Sequence, residues 1–404
     1  MQPLLRALFV FCCVLLSYAC GPAPGPRAVG DDLTDLPLVG LSAEWTSRFD
    51  EGDRLFEVPY TAGDGLGPLY IRQACAACHA GGGRGPGFVE KVAQVEGDGV
   101  TPVAGQPALP LGHTVRRLMA GGARQPLEAP SQPGLRQSTR VGPAVWAAGA
   151  IEAIDERELL RLEAEQAQRG DGVSGRVNRV SYASERSADL AFHGHRKGDA
   201  VIGRFGVKAR VATLDDFTAD AFQGDMGLTS PLRLTEPANP EGLLDDHKPG
   251  IDLPLETVQA VADYLRLLRL PARRPAPPEG PRLFEAAGCA TCHVPSLTTR
   301  ADYPVPQLAG VSVQVYSDVL LHDLGACLAD GLTDGDATSS EFRTAPLVGL
   351  RFSRSFLHDG RAATLDEAVR LHGAEGSEAR AAVLAFERLS DQERAALLSF
   401  LSTL

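Results

Sequence analysis

The chain is poor in soft metal-binding side chains and has no surplus of basic ones. Eight cysteines and three methionines are spread over 404 residues, and the formal charge is −12 at a pI near 5.3. Without a cationic surface, phosphate-backbone binding has no electrostatic source, so nucleic acid is excluded as the expected partner. A basic protein partner would suit the acidic surface better. The long apolar run needed to cross a bilayer is also missing at the N-terminus, where the stretch from Ala7 to Leu16 is too short. At 44% hydrophobic content there is still enough apolar material for ordinary packed cores, and this length makes two domains the natural expectation.

The first segment, "MQPLLRALFVFCCVLLSYAC", places Arg6 before the apolar run and small residues before Cys20, which reads as an export signal over residues 1–20. "LSYAC" has the form of a lipoprotein cleavage site, with Ser17 where leucine is usual. The expectation is a periplasmic protein, anchored to the membrane only through lipid on Cys20. Residues 21–40, opening "GPAPGPRAVGDD", read as a flexible tether.

Processing removes Cys12 and Cys13 and uses or removes Cys20. Five cysteines remain, and four of them form two copies of one pattern, "CAACH" at Cys75, Cys78 and His79, and "CATCH" at Cys289, Cys292 and His293. A redox dithiol has no need of the histidine, and the two pairs lie too far apart in sequence for a zinc ribbon. Covalent haem requires all three residues: two thioethers to the porphyrin vinyl groups and an imidazole directly behind to bind iron. Two haem c groups are therefore the expected cofactors. Cys327, in apolar "LGACLAD", reads as a buried inert thiol.

Each half repeats one plan, in which an opening helix precedes the motif and an amphipathic helix closes the half. "GPRLFEAAGCATCH" opens the second half. "LSDQERAALLSFLSTL" closes it, with Ser390 and Glu393 as a capping box and Leu397, Leu398, Leu401 and Leu404 as one stripe. "PLETVQAVADYLRLLRL" closes the first half through Val258, Val261, Leu265 and Leu268. The expected fold is mainly α, with two cytochrome c-like domains and long loops. The first spans residues 41–270 and is enlarged by insertions of loop and short helix; a proline-rich linker over 271–281 leads to the second, 282–404.

Once each iron has its proximal histidine, the opposite face decides between electron transfer and reaction with a small oxidant. The available ligands are few: Met119 and Met226, and His113, His193, His195, His247, His322, His358 and His372. "TLDEAVRLHGAEG" starts with Thr364 and Glu367 in capping positions and puts His372 on the same face as Leu365, Ala368 and Val369, which makes it the strongest candidate.

"EFRTAPLVGLRFSRSFLHDGRAATLDEAVRLH" resembles the second domain of bacterial di-haem cytochrome c peroxidases, in which a methionine usually binds the second iron fourteen residues beyond the "HDG" histidine. Counted from His358, that position is His372, so the resemblance implies a bis-histidine iron of lower potential. "GDGLGPLY", "GDGVSGRVN", "GRFGVKA", "GDMGLTS", "LLHDLG" and "LHDGRA" are similar to the di-haem oxidoreductase family, whose members are described as peroxidases and sometimes labelled thiol oxidoreductases. Val207 stands where that family is expected to carry tryptophan.

The resemblance implies electrons from a donor such as a small cytochrome or cupredoxin, passing through the second haem to the first, where peroxide or a similar oxidant is reduced. Two other readings stay open: a di-haem carrier without a substrate, and an enzyme that oxidises a partner protein. For the first iron the distal candidates are Met226 and His113. Glu152 is either the acid that serves peroxide or a helix-start carboxylate, and Trp146 either bridges the haems or packs in the core. His322 and His358 are expected to orient propionates or loops. Related peroxidases carry calcium, for which Asp171 and Asn178 offer a sparse set of ligands beside the plainer reading of a turn.

Overall fold

The computed structural model describes residues 35–404, apart from short stretches at 98–100, 105–107, 111, 121–122, 129–130, 132 and 244–247. The export signal, Cys20, most of the tether and His247 lie outside the described residues. Among the described residues no helix is long and apolar enough to cross a membrane.

Each half is built on a crossed pair of helices. In the first, α1 (Ala43–Glu57) packs on α5 (Leu255–Leu267), and between them in sequence come α2 (Ala148–Ala153), α3 (Glu156–Arg169) and α4 (Leu214–Met226). In the second, α6 (Gly280–Ala286) packs on α9 (Asp391–Leu401), with α7 (Leu365–Leu371) and α8 (Arg380–Arg388) between them. Both crossings use the same device. A Cβ on Gly52 would fall 2.1 Å from the Ala260 carbonyl oxygen and 2.6 Å from Tyr264 Cβ, and one on Gly280 would fall 2.5 Å from Phe400 Cβ. Only glycine allows backbone and aromatic ring to approach this closely.

The closing helices follow their sequence signals. Ser390 caps α9 in a reciprocal box with Glu393, and Leu397, Leu401 and Leu404 are buried beside Phe400. Val258, Val261 and Leu265 are buried along α5. The core does not divide cleanly between the halves: Phe49, Ile151, Phe222 and Tyr264 share one cluster with Leu297, Tyr303, Val315 and Val348. A second cluster gathers Leu283, Phe284, Phe386, Leu397 and Phe400. Residues 271–277, between α5 and α6, have no regular structure. The last part of the expected tether is held in place, since Leu38 N–H donates to the Leu267 carbonyl at 2.8 Å and Arg269 N–H to that of Leu36 at 2.8 Å.

The expectation of a mainly helical fold needs correcting, because the structure is mixed, 32% helix and 15% strand. The insertion after the first motif holds loop and the helices α2 to α4, as expected, but it also carries an antiparallel sheet that was not. Its central strand β2 (Phe88–Gln94) pairs with β3 (Thr114–Val115) on one side and β5 (Leu135–Val141) on the other, while β1 (Leu69–Tyr70) pairs with β4 (Leu118–Met119). The sheet covers its own small core of Leu69, Val92, Leu109, Val115 and Leu127. Val89, Val92, Thr139 and Val141 give the two long strands β-branched side chains, which suit pairing although apolar and polar residues alternate only briefly.

Charged groups buried between the halves add to the apolar contact. Arg140 donates to Asp330 at 2.7 Å and to Asp334 at 2.6 Å. Lys208 is fully buried, and its ammonium donates to the carbonyls of Thr338 at 2.8 Å, Ser339 at 3.2 Å and Glu341 at 2.8 Å, with Asp330 at 3.3 Å and the Phe342 ring 3.9 Å away. Burial, opposed by Asp330, pushes Lys208 down to about 8. A free lysine titrates near 10.4, so between about pH 8 and that value the unfolded chain holds more protons than the folded one, and this group makes folding more favourable as pH rises. Relative to a Lys208→Met variant, the wild-type unfolding free energy should therefore grow by up to about 3 kcal/mol across that window, as read by urea denaturation at stepped pH.

Candidate functional site

The two Cys-x-x-Cys-His motifs adopt the same local geometry. Cys75–Ala77 and Cys289–Thr291 each form a single 3-10 turn, and in both the histidine N–H donates to the first cysteine's carbonyl at 3.0 Å. Each turn thus presents two sulfurs and swings the imidazole off its end. The four cysteines are half-buried and joined by no disulfide, and burial raises their pKa, to about 12 for Cys75 and about 11 for Cys289.

Three imidazoles are held in one way. His79 Nδ1 lies 2.8 Å from the Pro143 carbonyl, His293 Nδ1 3.0 Å from that of Tyr316, and His372 Nδ1 2.7 Å from that of Ala368. A carbonyl can only accept, so Nδ1 carries the hydrogen and Nε2 keeps its lone pair. That is the tautomer a metal-binding histidine needs, with the backbone as the outer partner that fixes the ring. Burial lowers all three; His293 falls to about 4, and the nearby His372 imidazole contributes to its fall. His372 is thus within electrostatic reach of His293. Thr364 caps α7 by accepting from Glu367 N–H at 3.1 Å, and His372 is the C-cap residue of that helix.

No second imidazole enters the described contacts of His79. Met226 ends α4, buried in the main core, with its carbonyl accepting from Gly67 N–H at 2.9 Å. The preceding Asp225 is near enough to raise Cys75 and Cys78, so this helix end lies beside the first motif. His113 has its Nδ1 3.1 Å from the Val92 carbonyl, and Met119 is exposed on β4.

Trp146 is 2% exposed and sits where the halves meet. Its indole N–H donates to the Gly81 carbonyl at 3.0 Å, just past the first motif, and its ring lies edge-on to Phe352 with centroids 5.5 Å apart. Arg84 reinforces the junction by donating to the carbonyls of Ser355, at 3.0 Å, and Leu357.

Glu152 has a different role from the proton donor considered above. Its carboxylate accepts from Arg266 Nε at 2.7 Å and Nη2 at 3.1 Å, Tyr303 Oη at 2.7 Å and Leu214 N–H at 2.7 Å. Burial pushes its pKa up, but Arg266 and these donors outweigh burial and hold it below the usual carboxylate range. An anion with four donors has no proton to give, so Glu152 is the buried half of an ion pair. Arg266 also donates to Asp263 at 3.0 Å and lies 3.7 Å above the Phe192 ring.

Asp171 and Asn178 do not converge on a common cation site. Asp171 accepts from Val173 N–H in its own turn and pairs with Arg169. Asn178 donates to the carbonyls of Lys208 and Asp334 and accepts from Asp336 N–H, which occupies both ends of its amide. Cys327 is exposed, not buried: Leu328 takes the inward position, at 0% exposure, and leaves the thiol on the turn's outer side. His193 is tied to Asp215 at 2.9 Å and stacks on His195. His358 stacks on Phe342 with centroids 4.2 Å apart, and its carbonyl accepts from Val141 N–H. Both ring nitrogens of His322 face carboxylates.

Over residues 131–404 the chain matches the model of a family described as "Di-haem oxidoreductase, putative peroxidase". This is a chain of the di-haem oxidoreductase family. No curated relative matches. Solved structures similar to it include hydrazine synthase from Kuenenia stuttgartiensis (13% identity, covering 99% of this chain and 100% of that one, TM-score 0.35). A MauG-like protein associated with microbial copper homeostasis is 16% identical, with 92% of each chain covered and a TM-score of 0.41. The diheme peroxidase BthA from Burkholderia thailandensis is 15% identical, covering 89% of this chain and 86% of that one, with a TM-score of 0.36. The family assignment rests on the family match.

Proposed function

We propose that the chain is a periplasmic, lipid-anchored c-type di-haem peroxidase that takes electrons from a small cytochrome or cupredoxin. The donor set suits the group. Cys75 and Cys78 would hold the first haem with His79 beneath it, and Cys289 and Cys292 the second, between His293 and His372. When bound, the two haems supply one-electron transfer, from the second to the first, and at an iron with an open face the two-electron reduction of peroxide to water.

The observation that carries this reading is the unequal provision of imidazoles. The second motif has two, each set by a backbone carbonyl with Nε2 free, whereas the described contacts of the first motif's histidine include no partner imidazole. The second site thus suits electron storage, and the first suits a small oxidant, with the sulfur of Met226 as the remaining candidate for its distal side. Trp146, whose indole N–H reaches the first motif's loop and whose ring meets Phe352 of the second half edge-on, would suit a relay.

The test is spectroscopic. Resting and half-reduced holoprotein should contain one high-spin iron that binds cyanide and turns over peroxide with a reduced donor. Low-spin signals from both irons in every redox state would defeat the peroxidase reading and leave an electron carrier. Long-lived oxidation by peroxide with no turnover of a small donor would instead favour oxidation of a partner protein.

A further inference from the structure

Three sequence elements that the peroxidase reading leaves unused meet at one buried imidazole. His322, from "LLHDLG", is 3% exposed and lies on β10, the strand Leu321–Asp323, which pairs with Glu341–Arg343; numbered in chain order, β6 to β9 are Arg179–Ser181, Ala200–Ile202, Leu297–Thr298 and Ser312–Val313. Its Nε2 is 2.9 Å from Asp318 Oδ2 and its Nδ1 2.7 Å from Glu378 Oε2, the latter from "GAEGSEAR". The same Nδ1 is 3.6 Å from Cys292 Sγ. Carboxylate oxygens only accept, so with one at each ring nitrogen the imidazole carries both hydrogens and a positive charge.

The third element, "GDGVSG", closes the cluster from the first half. Ser174 N–H donates to Glu378 Oε2 at 3.1 Å and Gly175 N–H to Gln166 Oε1 at 2.8 Å, while Gln166 Nε2 donates to Asp318 Oδ2 at 2.8 Å. A Cβ on Gly175 would fall 2.5 Å from His322 Cε1, so the loop is pressed against the ring. The result is a water-poor pocket of three full charges at the sulfur of the second motif. A haem held through Cys292 would bring its vinyl edge to this pocket.

We propose that His322, Asp318 and Glu378 form a charge clamp that sets the reduction potential of the second haem through the Cys292 edge. The inference rests on the reading of Cys289 and Cys292 as thioether sulfurs. The clamp's formal charge is −1. Oxidation leaves the haem more positive by one charge, so added negative charge favours the oxidised form and added positive charge the reduced form. Exchanging His322 for neutral glutamine takes the clamp to −2, and Glu378→Gln takes it to zero while keeping an acceptor for the ring. Arg343, which burial lowers to about 10 against the opposing charge of Asp318, is unchanged in both.

Exported holoprotein is first assayed for two covalent haems by intact mass, and the second haem's potential is then measured by spectroelectrochemistry. His322→Gln should shift the one-electron equilibrium toward the oxidised form by about tenfold, a 59 mV fall, and Glu378→Gln should shift it the opposite way by a similar factor. Opposite signs are something a merely structural disturbance would not give. Potentials that stay within twofold of wild type, or that move the same way in both variants, overturn the proposal while the haem reading stands. Wild-type protein lacking a second covalent haem defeats that reading instead, and the proposal with it. If His322→Gln fails to mature, a rise in Glu378→Gln supports the clamp and an unmoved potential overturns it.

Discussion

Glu152→Ala is expected to destabilise the fold by about 3–5 kcal/mol, the usual cost of stranding one partner of a buried ion pair. The removed carboxylate answers two guanidinium N–H groups, a tyrosine hydroxyl and the first N–H of α4. Arg266, 1% exposed, would keep its charge with Asp263 as hydrogen-bond acceptor and Asp215 at 4.0 Å. Urea denaturation should show the loss as a lower midpoint. A Glu152→Ala/Arg266→Leu double variant should recover a large part of it, because the stranded charge is then gone. Glu152→Gln separates this role from catalysis. It keeps the shape of the site and one of its two acceptor oxygens while weakening the pair, so per folded molecule peroxide turnover should fall less than tenfold; losing a general acid typically costs about 10²–10⁴-fold. A loss of that larger size in folded Glu152→Gln protein would restore the proton-donor role.

Glu152 also shows where reading the sequence stopped. "VWAAGAIEAI" announces a buried carboxylate, yet its partner is 114 residues away, in a stretch, "YLRLLRL", whose arginines look like the solvent face of an amphipathic helix. Features written locally were legible: the caps of α7 and α9 and the inward face of α5. Their determinants lie within a few residues of each other. The three-stranded sheet was hidden because its alternation is brief and set among glycine and proline, and because β2 finds β5 only across some forty residues of intervening chain. Cys327 looked buried for its apolar neighbours, but Leu328 took the inward place. Gly52 gave no sign at all, since what demands a glycine there is the carbonyl of Ala260 on another helix.

His372 supports a prediction with an equally large effect, because one side chain sets both the spin state and the potential of the second site. In the holoprotein, His372→Ala should leave the second iron five-coordinate and high-spin, open to cyanide, while both haems stay covalently attached, since the sulfurs and His293 are untouched. His372→Met should restore a six-coordinate low-spin iron but raise its potential by roughly 0.2 V, a moderate part of the ~0.8 V range that axial ligands span. The geometry favours this outcome over rearrangement. Thr364 and the α7 backbone fix the position, and the side chain leaves the helix end beside His293, where a thioether of similar reach can take its place. Donation from the new iron pair to the first haem should then slow, as electrons settle on the second. An unchanged low-spin spectrum in His372→Ala would assign the ligand elsewhere. His358 would be the first residue to examine, since it lies in the same half and its ring stacks on Phe342, with Asp359 at 3.9 Å.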